Sequence, residues 1–155
     1  MNITTLKKKI DEKWYSNLLK KEQKYVWDWY RDRADYLAQL YPKVLAFHSK
    51  KNVKCECCDR VMIDIKEANW SHRIPRGNYW SRWQEWNIYC CTEYCNAWDK
   101  ENHHNRLTMF MINKYWKKKV EDWLIESNKI HKKPTYEEIK EVVEKYEKLL
   151  EKYWY

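Results

Sequence analysis

Glycine is nearly missing from this chain: there is one in 155 residues, with three prolines and two phenylalanines. So few turn-makers exclude an all-β sandwich or barrel, which needs one at most reversals, and favour long helices joined by short links. No run of about 18 apolar residues occurs, so no membrane-spanning helix is expected. The opening MNITTLKKKIDEK lacks an apolar stretch with a cleavage site, so secretion is not expected. The expected location is the cytoplasm, the host's if the source is a virus. Aliphatic residues are scarce, and much of the 44% hydrophobic content is 11 Trp and 13 Tyr, whose polar ends stay wet. The expected core is modest and partly aromatic, and a metal staple would compensate.

What is abundant is positive charge. Lys and Arg number 31 against 23 Asp and Glu, a net charge of +8. That balance favours a polyanionic partner, nucleic acid first, although a solvated Lys/Glu helix surface accounts for part of it. Six cysteines in a chain expected to be cytoplasmic read as metal ligands before disulfides.

Three segments follow from the pattern. Residues 1–52 form an N-terminal helical arm, 53–116 a cysteine-rich core, and 117–155 a C-terminal helical extension. The spacing of Leu6, Ile10, Trp14 and Leu18, then Val26, Trp29, Arg33 and Leu37, predicts helix over 5–41, with a break possible between Ser16 and Lys21. Tyr41-Pro42 should end it, because proline disfavours helix in the residue before it. A knuckle and short hairpin are expected over 53–67, and a second short hairpin over 70–90 turning at Pro75-Arg76-Gly77-Asn78. One helix should run from about Cys95 to Tyr115 and another segment from Lys117 to Asn128. Thr135 and Glu138 form a capping box for a last helix over 136–153.

Cys55 and Cys58 have the C-x2-C spacing that lets one tight knuckle offer two thiolates to a tetrahedral ion. In the second cluster Cys91 and Cys95 are spaced C-x3-C, still within range. The expected zinc ligands are therefore Cys55, Cys58, Cys91 and Cys95, with Cys57 and Cys90 as alternates or buried spares. A closed four-thiolate site serves folding and leaves no open position for chemistry. A rubredoxin-like iron site is the minor alternative.

Between the clusters lies Ser71-His72-Arg73-Ile74-Pro75, followed by Asn87 and by Asn96 directly after Cys95. Taken singly, the histidine could be a core residue and the asparagines caps. Together they resemble the His-Asn-His endonuclease motif in its zinc-knuckle form, and more closely the lambdoid-phage NinG/Rap recombination endonucleases. TLKKKIDEKW, VKCECCD, SHRIPR, SRWQEWN and CNAWDKEN stand in that family's order, over roughly Thr5 to Tyr115.

The resemblance implies a mainly α chain with a small β-hairpin core, a treble-clef-like ββα-metal unit stapled by zinc and flanked by helices. It implies metal-dependent hydrolysis of DNA, on branched intermediates such as Holliday junctions or D-loops, leaving 5′-phosphate and 3′-hydroxyl ends. His72 would be the general base, Asn87 would orient the loop or the His72 ring, and Asn96 would give an oxygen to a catalytic Mg²⁺ or Mn²⁺. Arg76 and Arg82 would contact phosphate, and Glu85 would either hold Arg82 or form a plain surface pair. Many such nucleases carry an Asp or His ligand where this chain has Ser71, so another ligand must come from Asp99, Asn102, His103 or His104. A homodimer would suit paired cuts. The alternatives are a sequence-specific or packaging-associated nicking enzyme, and a zinc-stapled nucleic-acid-binding module without catalysis. Trp80, Trp83, Trp86 and Trp98 are packing residues by default and base-stacking residues in the functional reading. Lys117, Lys118, Lys119, Lys132 and Lys133 are phosphate contacts or solvated turns.

Overall fold

The computed structural model describes residue 15 and residues 17–49, 52–97 and 100–153. The helix expected over residues 5–14, with Lys7, Lys8 and Lys9, lies outside them, as do Trp98 and Asp99. Helix α1 (Lys20–Ser49) opens where the Leu19 N–H donates to the Glu22 carboxylate at 2.9 Å, which satisfies an orphan donor at the first turn. Trp27, Tyr30, Ala34, Leu37 and Ala38 recur at three- and four-residue steps and are buried.

The stop expected at Pro42 does not occur. Proline deletes one helical hydrogen bond and costs about 3 kcal/mol in a helix interior. Packing on both sides of it outweighs that penalty: Tyr41 and Val44 lie against one hydrophobic cluster, Ala46 and Phe47 against a second.

Strands β1 (Val53–Lys54) and β2 (Val61–Met62) are antiparallel and frame the knuckle. Asp59 closes that knuckle in the left-handed region at φ 59°, its N–H on the Cys55 carbonyl at 3.0 Å. Strand β3 (Ala68–His72) pairs antiparallel with β4 (Ile88–Thr92), Ala68 opposite Thr92 and His72 opposite Ile88. The second hairpin is therefore not the tight one expected. A turn does form at Pro75, whose carbonyl accepts from the Asn78 N–H at 3.0 Å, but it sits inside a long connection over residues 73–87.

Helix α2 (Glu93–Ala97) follows β4 directly, and α3 (Lys100–Tyr115), α4 (Lys117–Ser127) and α5 (Tyr136–Glu151) complete the chain. The α5 capping box forms as the sequence implies: Thr135 Oγ1 accepts from the Glu138 N–H at 3.2 Å, and the Glu138 carboxylate from the Thr135 N–H at 2.7 Å. Trp116, between α3 and α4, has φ 72° and ψ 141°, a region that costs a non-glycine residue about 1–3 kcal/mol. The whole is a mainly helical fold with two small β-hairpins. No helix among the described residues is long and apolar enough to cross a membrane.

Two hydrophobic clusters organise it. One joins α1, α5, Ile88 of β4 and Trp83 of the 73–87 connection. The arms that the sequence separates as 1–52 and 117–155 thus share a core around the hairpin loop. The other cluster gathers the knuckle, Tyr89, Leu107 and Met111, with Val120, Trp123 and Leu124 of α4. Tyr146 of α5 is sealed from solvent and donates its hydroxyl to the Trp83 carbonyl at 2.7 Å. Tyr146→Phe leaves that carbonyl without its partner and should lower stability by about 1–2 kcal/mol in urea unfolding. An unchanged midpoint would mean that α5 does not hold the loop.

Candidate functional site

The Sγ atoms of Cys55, Cys58 and Cys95 lie within 4.8 Å of one another, with Cys55 and Cys95 fully buried. A tetrahedral zinc with Zn–S bonds of about 2.3 Å separates its sulfurs by roughly 3.8 Å, so a slight contraction closes the site. This buried cluster could hold a zinc ion. Local structure brings it together: the knuckle carries Cys55 and Cys58, and the direct passage from β4 into α2 carries Cys95. Glu56 ties the two parts, its N–H on the Cys90 carbonyl at 3.1 Å and its carboxylate on the Cys90 N–H at 2.8 Å. Thr92 donates its N–H to Cys55 Sγ at 3.3 Å and accepts the Cys95 N–H on Oγ1 at 3.4 Å.

Two more thiols border the trio. Cys91 hydrogen-bonds Cys55, and Cys57 hydrogen-bonds Cys95. The bond from Cys91, then the N–H groups of Thr92, Cys57 and Cys58, pull the Cys55 thiol down to about 4 against the opposing effect of burial. The same bond, together with burial, pushes Cys91 up, so Cys55 is the thiolate of the pair. Cys90 is different. It pairs with Trp70 on the other face of the hairpin, and burial pushes its thiol up to about 12, so it is a packed spare.

His72 ends β3 and is half-buried. Its Nε2 lies 3.2 Å from the Arg82 carbonyl, which can only accept, so Nε2 carries the proton and Nδ1 keeps its lone pair. Burial, then the Arg76 charge, lowers the ring's pKa to about 4, so the imidazole is neutral at ordinary pH. Asn87 is completely buried and spans the loop's base: Oδ1 accepts from the Ile74 N–H at 2.7 Å, and Nδ2 donates to the Ile74 and Ser81 carbonyls at 3.0 and 3.1 Å.

Arg82 is not the open phosphate fork that its alignment implies. Its Nε and Nη2 donate to Asp35 of α1 at 2.8 and 2.6 Å, and Nη1 donates to the Arg76 carbonyl at 2.6 Å. Trp83 Nε1 adds a third bond to Asp35, also 2.8 Å. Removing one partner from so buried a pair costs about 3–5 kcal/mol. Nor does Glu85 hold Arg82; it pairs with Lys145 at 2.8 Å near the surface. Arg76 is the more available guanidinium, half-exposed and 3.8 Å from Asp35. Asp35 carries no motif, and nothing in its helical surroundings announces the role.

On the opposite side of β3, Ser71 hydrogen-bonds His103 Nε2, and His103 Nδ1 lies 3.4 Å from Cys57 Sγ. Successive strand residues point to opposite faces, so His72 and His103 stand on different sides of the hairpin. His103 is 4% exposed and both its nitrogens are engaged, so in this arrangement it is an internal tether between knuckle and strand. Arg73 shares that side and donates Nε to Thr108 Oγ1 at 2.5 Å. Asn96 is half-buried in α2, while Asn102 and His104 are exposed on α3. Burial and the Arg73 charge lower the His104 pKa.

No family model, curated protein or solved structure matches this chain.

If zinc occupies the cluster, Cys95→Ser should bind none and unfold the knuckle, whereas Cys90→Ser should retain both the metal and the fold. Metal content by mass spectrometry and the unfolding transition read this out. Equal loss in Cys91→Ser but not in Cys57→Ser would identify Cys91 as fourth ligand.

Proposed function

We propose that this chain is a divalent-metal-dependent DNA endonuclease of the His-Asn-His type. The observation that carries the reading is the His72 ring, held through Nε2 by the Arg82 carbonyl with Nδ1 left as a lone pair. A neutral imidazole fixed in one tautomer is what a general base for water requires. Nδ1 takes a proton from water, the hydroxide attacks phosphorus, and the bond to the 3′ oxygen breaks, that oxygen taking a proton from solvent water, so that a 5′-phosphate and a 3′-hydroxyl remain. Asn87 braces the loop that carries the carbonyl, and Arg76 is the guanidinium free enough to meet a phosphate. Mg²⁺ or Mn²⁺ held by Asn96, with Asn102 as a further oxygen ligand, would neutralise charge on the phosphate and the leaving oxygen.

In this reading zinc sits on Cys55, Cys58, Cys95 and Cys91 and serves folding alone, within a treble-clef-like ββα-metal core. Branched DNA as substrate and a homodimer for paired cuts rest on the resemblance to the phage recombination endonucleases. The separation of His72 from His103 across β3 favours a second reading, a zinc-stapled nucleic-acid-binding module without catalysis.

Incubation with a supercoiled plasmid and with a synthetic four-way junction, with and without Mg²⁺ or Mn²⁺, separates the readings. Cutting of the junction that depends on the ion supports the proposal; site-specific nicking of the plasmid indicates the sequence-specific alternative; binding without cutting indicates the module. His72→Ala should cut at least about 10²-fold more slowly while binding as before. The base form exists above the ring's pKa, so the acid limb of kcat/KM, which reports the free protein, should lie near 4, not near the ordinary 6.5. A limb at 6.5 would mean that another group takes the proton.

A further inference from the structure

Trp116 is unexplained by the packing. It is 82% exposed at the elbow between α3 and α4, and its backbone, at φ 72° and ψ 141°, occupies a region suited to glycine. Its backbone is tied in, the N–H on the Ile112 carbonyl at 3.0 Å and the carbonyl accepting from the Val120 N–H at 3.2 Å, but the indole gains almost no burial from the fold. Its sequence neighbours are Lys114, Lys117, Lys118 and Lys119, all exposed, with Lys117 and Lys118 in loose surface pairs with Glu121 at 3.7 Å and Asp122 at 3.5 Å that a phosphate can displace. Lys114 Nζ lies 5.2 Å from the Tyr115 ring and Lys119 Nζ 5.1 Å from the Trp123 ring, so two ammonium groups are held over aromatic faces beside the elbow.

The elbow is also joined to the histidine loop. Tyr115 meets Trp123 edge-on at 5.2 Å, and Trp123 stacks on Trp86 at 4.4 Å and 9°. Trp86 leans on Trp80 at 5.4 Å, and Trp80 stacks on His131 at 5.4 Å. Trp80 and Trp86 belong to the 73–87 connection whose Arg82 carbonyl holds His72. The aromatic ladder, which ends at Tyr115, therefore fixes the position of the elbow relative to that ring.

We infer that the elbow is a binding site for an unpaired nucleotide, with Trp116 stacking on the base and Lys114, Lys117 and Lys118 contacting the flanking phosphates. A strand of nucleotides offers flat π-faces with a phosphate on each side, which is what an exposed indole flanked by lysines complements. A base inside a duplex has both faces covered, so the site selects single strands or unpaired positions. A lipid surface would want a second apolar side chain beside the indole, and positions 113, 114, 117, 118 and 119 are Asn and Lys. The inference rests on the nucleic-acid part of the proposed function and is independent of cleavage.

The test is binding, by fluorescence anisotropy, of a labelled 20-nucleotide thymidine strand and of a 20-base-pair duplex to the zinc-loaded full chain without added Mg²⁺ or Mn²⁺. Trp116→Gly should bind the single strand about tenfold more weakly and the duplex within about twofold of the unaltered protein. Its unfolding midpoint should not fall, because glycine suits this backbone. Trp116→Asn, which also tolerates positive φ, serves as the second variant, and Trp116→Tyr should keep most of the affinity. Replacing Lys117 and Lys118 by Ala should weaken both ligands and flatten the salt dependence. Single-strand affinity unchanged in both Trp116→Gly and Trp116→Asn, or an equal loss on the duplex, overturns the inference alone. Loss of binding to anionic phosphatidylserine vesicles with unchanged oligonucleotide binding also overturns it, and marks a membrane contact instead. Failure of the unaltered protein to bind either nucleic acid overturns this inference and the nucleic-acid reading together.

Discussion

One carboxylate holds the His72 loop of this molecule in place. Asp35, in the middle of α1, accepts two bonds from the Arg82 guanidinium and one from the Trp83 indole. The backbone carbonyl of that same Arg82 orients His72. The ring at the end of β3 is thus positioned from a helix far earlier in the chain, through one ion pair and one peptide group. A lysine could not replace Arg82 here, because a single ammonium cannot fill both carboxylate oxygens and still reach the Arg76 carbonyl. Asn87 works from the other side, joining Ile74 and Ser81 across the base of the loop, so the segment is pinned at its neck by an amide and at its far end by a salt bridge.

That arrangement explains why so polar and aromatic a chain has a core at all. The sequence offers few aliphatic residues, and the cluster around α1 and α5 is built largely from Trp27, Tyr30, Trp83, Tyr136 and Tyr146. Rings of this kind bury large areas but bring polar atoms with them, and those atoms are used to connect elements. Trp27 Nε1 bonds the Pro134 carbonyl at 3.0 Å, and Tyr146 bonds the Trp83 carbonyl. The cysteine cluster does the same for the other half, where the elements are too short to hold themselves: β1 and β2 have two residues each and α2 has five.

What could be read in the sequence was local. The capping box at Thr135 and Glu138 needs only residues three apart, and the Cys55/Cys58 knuckle needs only a tight turn, so both were legible. The run of helix through Pro42 was not. A proline's penalty is local, but the packing of Tyr41, Val44, Ala46 and Phe47 that outweighs it comes from partners distant in sequence. Arg82 misled for a related reason: alignment finds a guanidinium but not its partner. Nothing about Asp35, one of several acids on a charged helix, signals that it will be buried against a loop that begins after residue 72. The pairing of the first and last helices was equally illegible, since two amphipathic stripes do not announce that they face each other.

The two sides of the hairpin pose the central chemical question. β3 presents His72 toward α1 and Ser71 toward α3, where His103 and the thiols lie. On the α3 side Ser71, His103 and Cys57 satisfy one another, whereas the α1 side carries a neutral imidazole with two arginines near it. Charge decides how these sides can cooperate. Burial, then the Arg76 charge, lowers the His72 pKa and keeps the ring neutral, and Arg76 is the more open of the two guanidinium groups. In the proposed nuclease, a phosphate meeting Arg76 would cancel part of the field that suppresses ring protonation, so the imidazole would become a better proton acceptor once the anion is bound. In that proposal, coupling substrate charge to base strength would need no motion of the loop, which is consistent with how firmly Asn87 and Asp35 hold it.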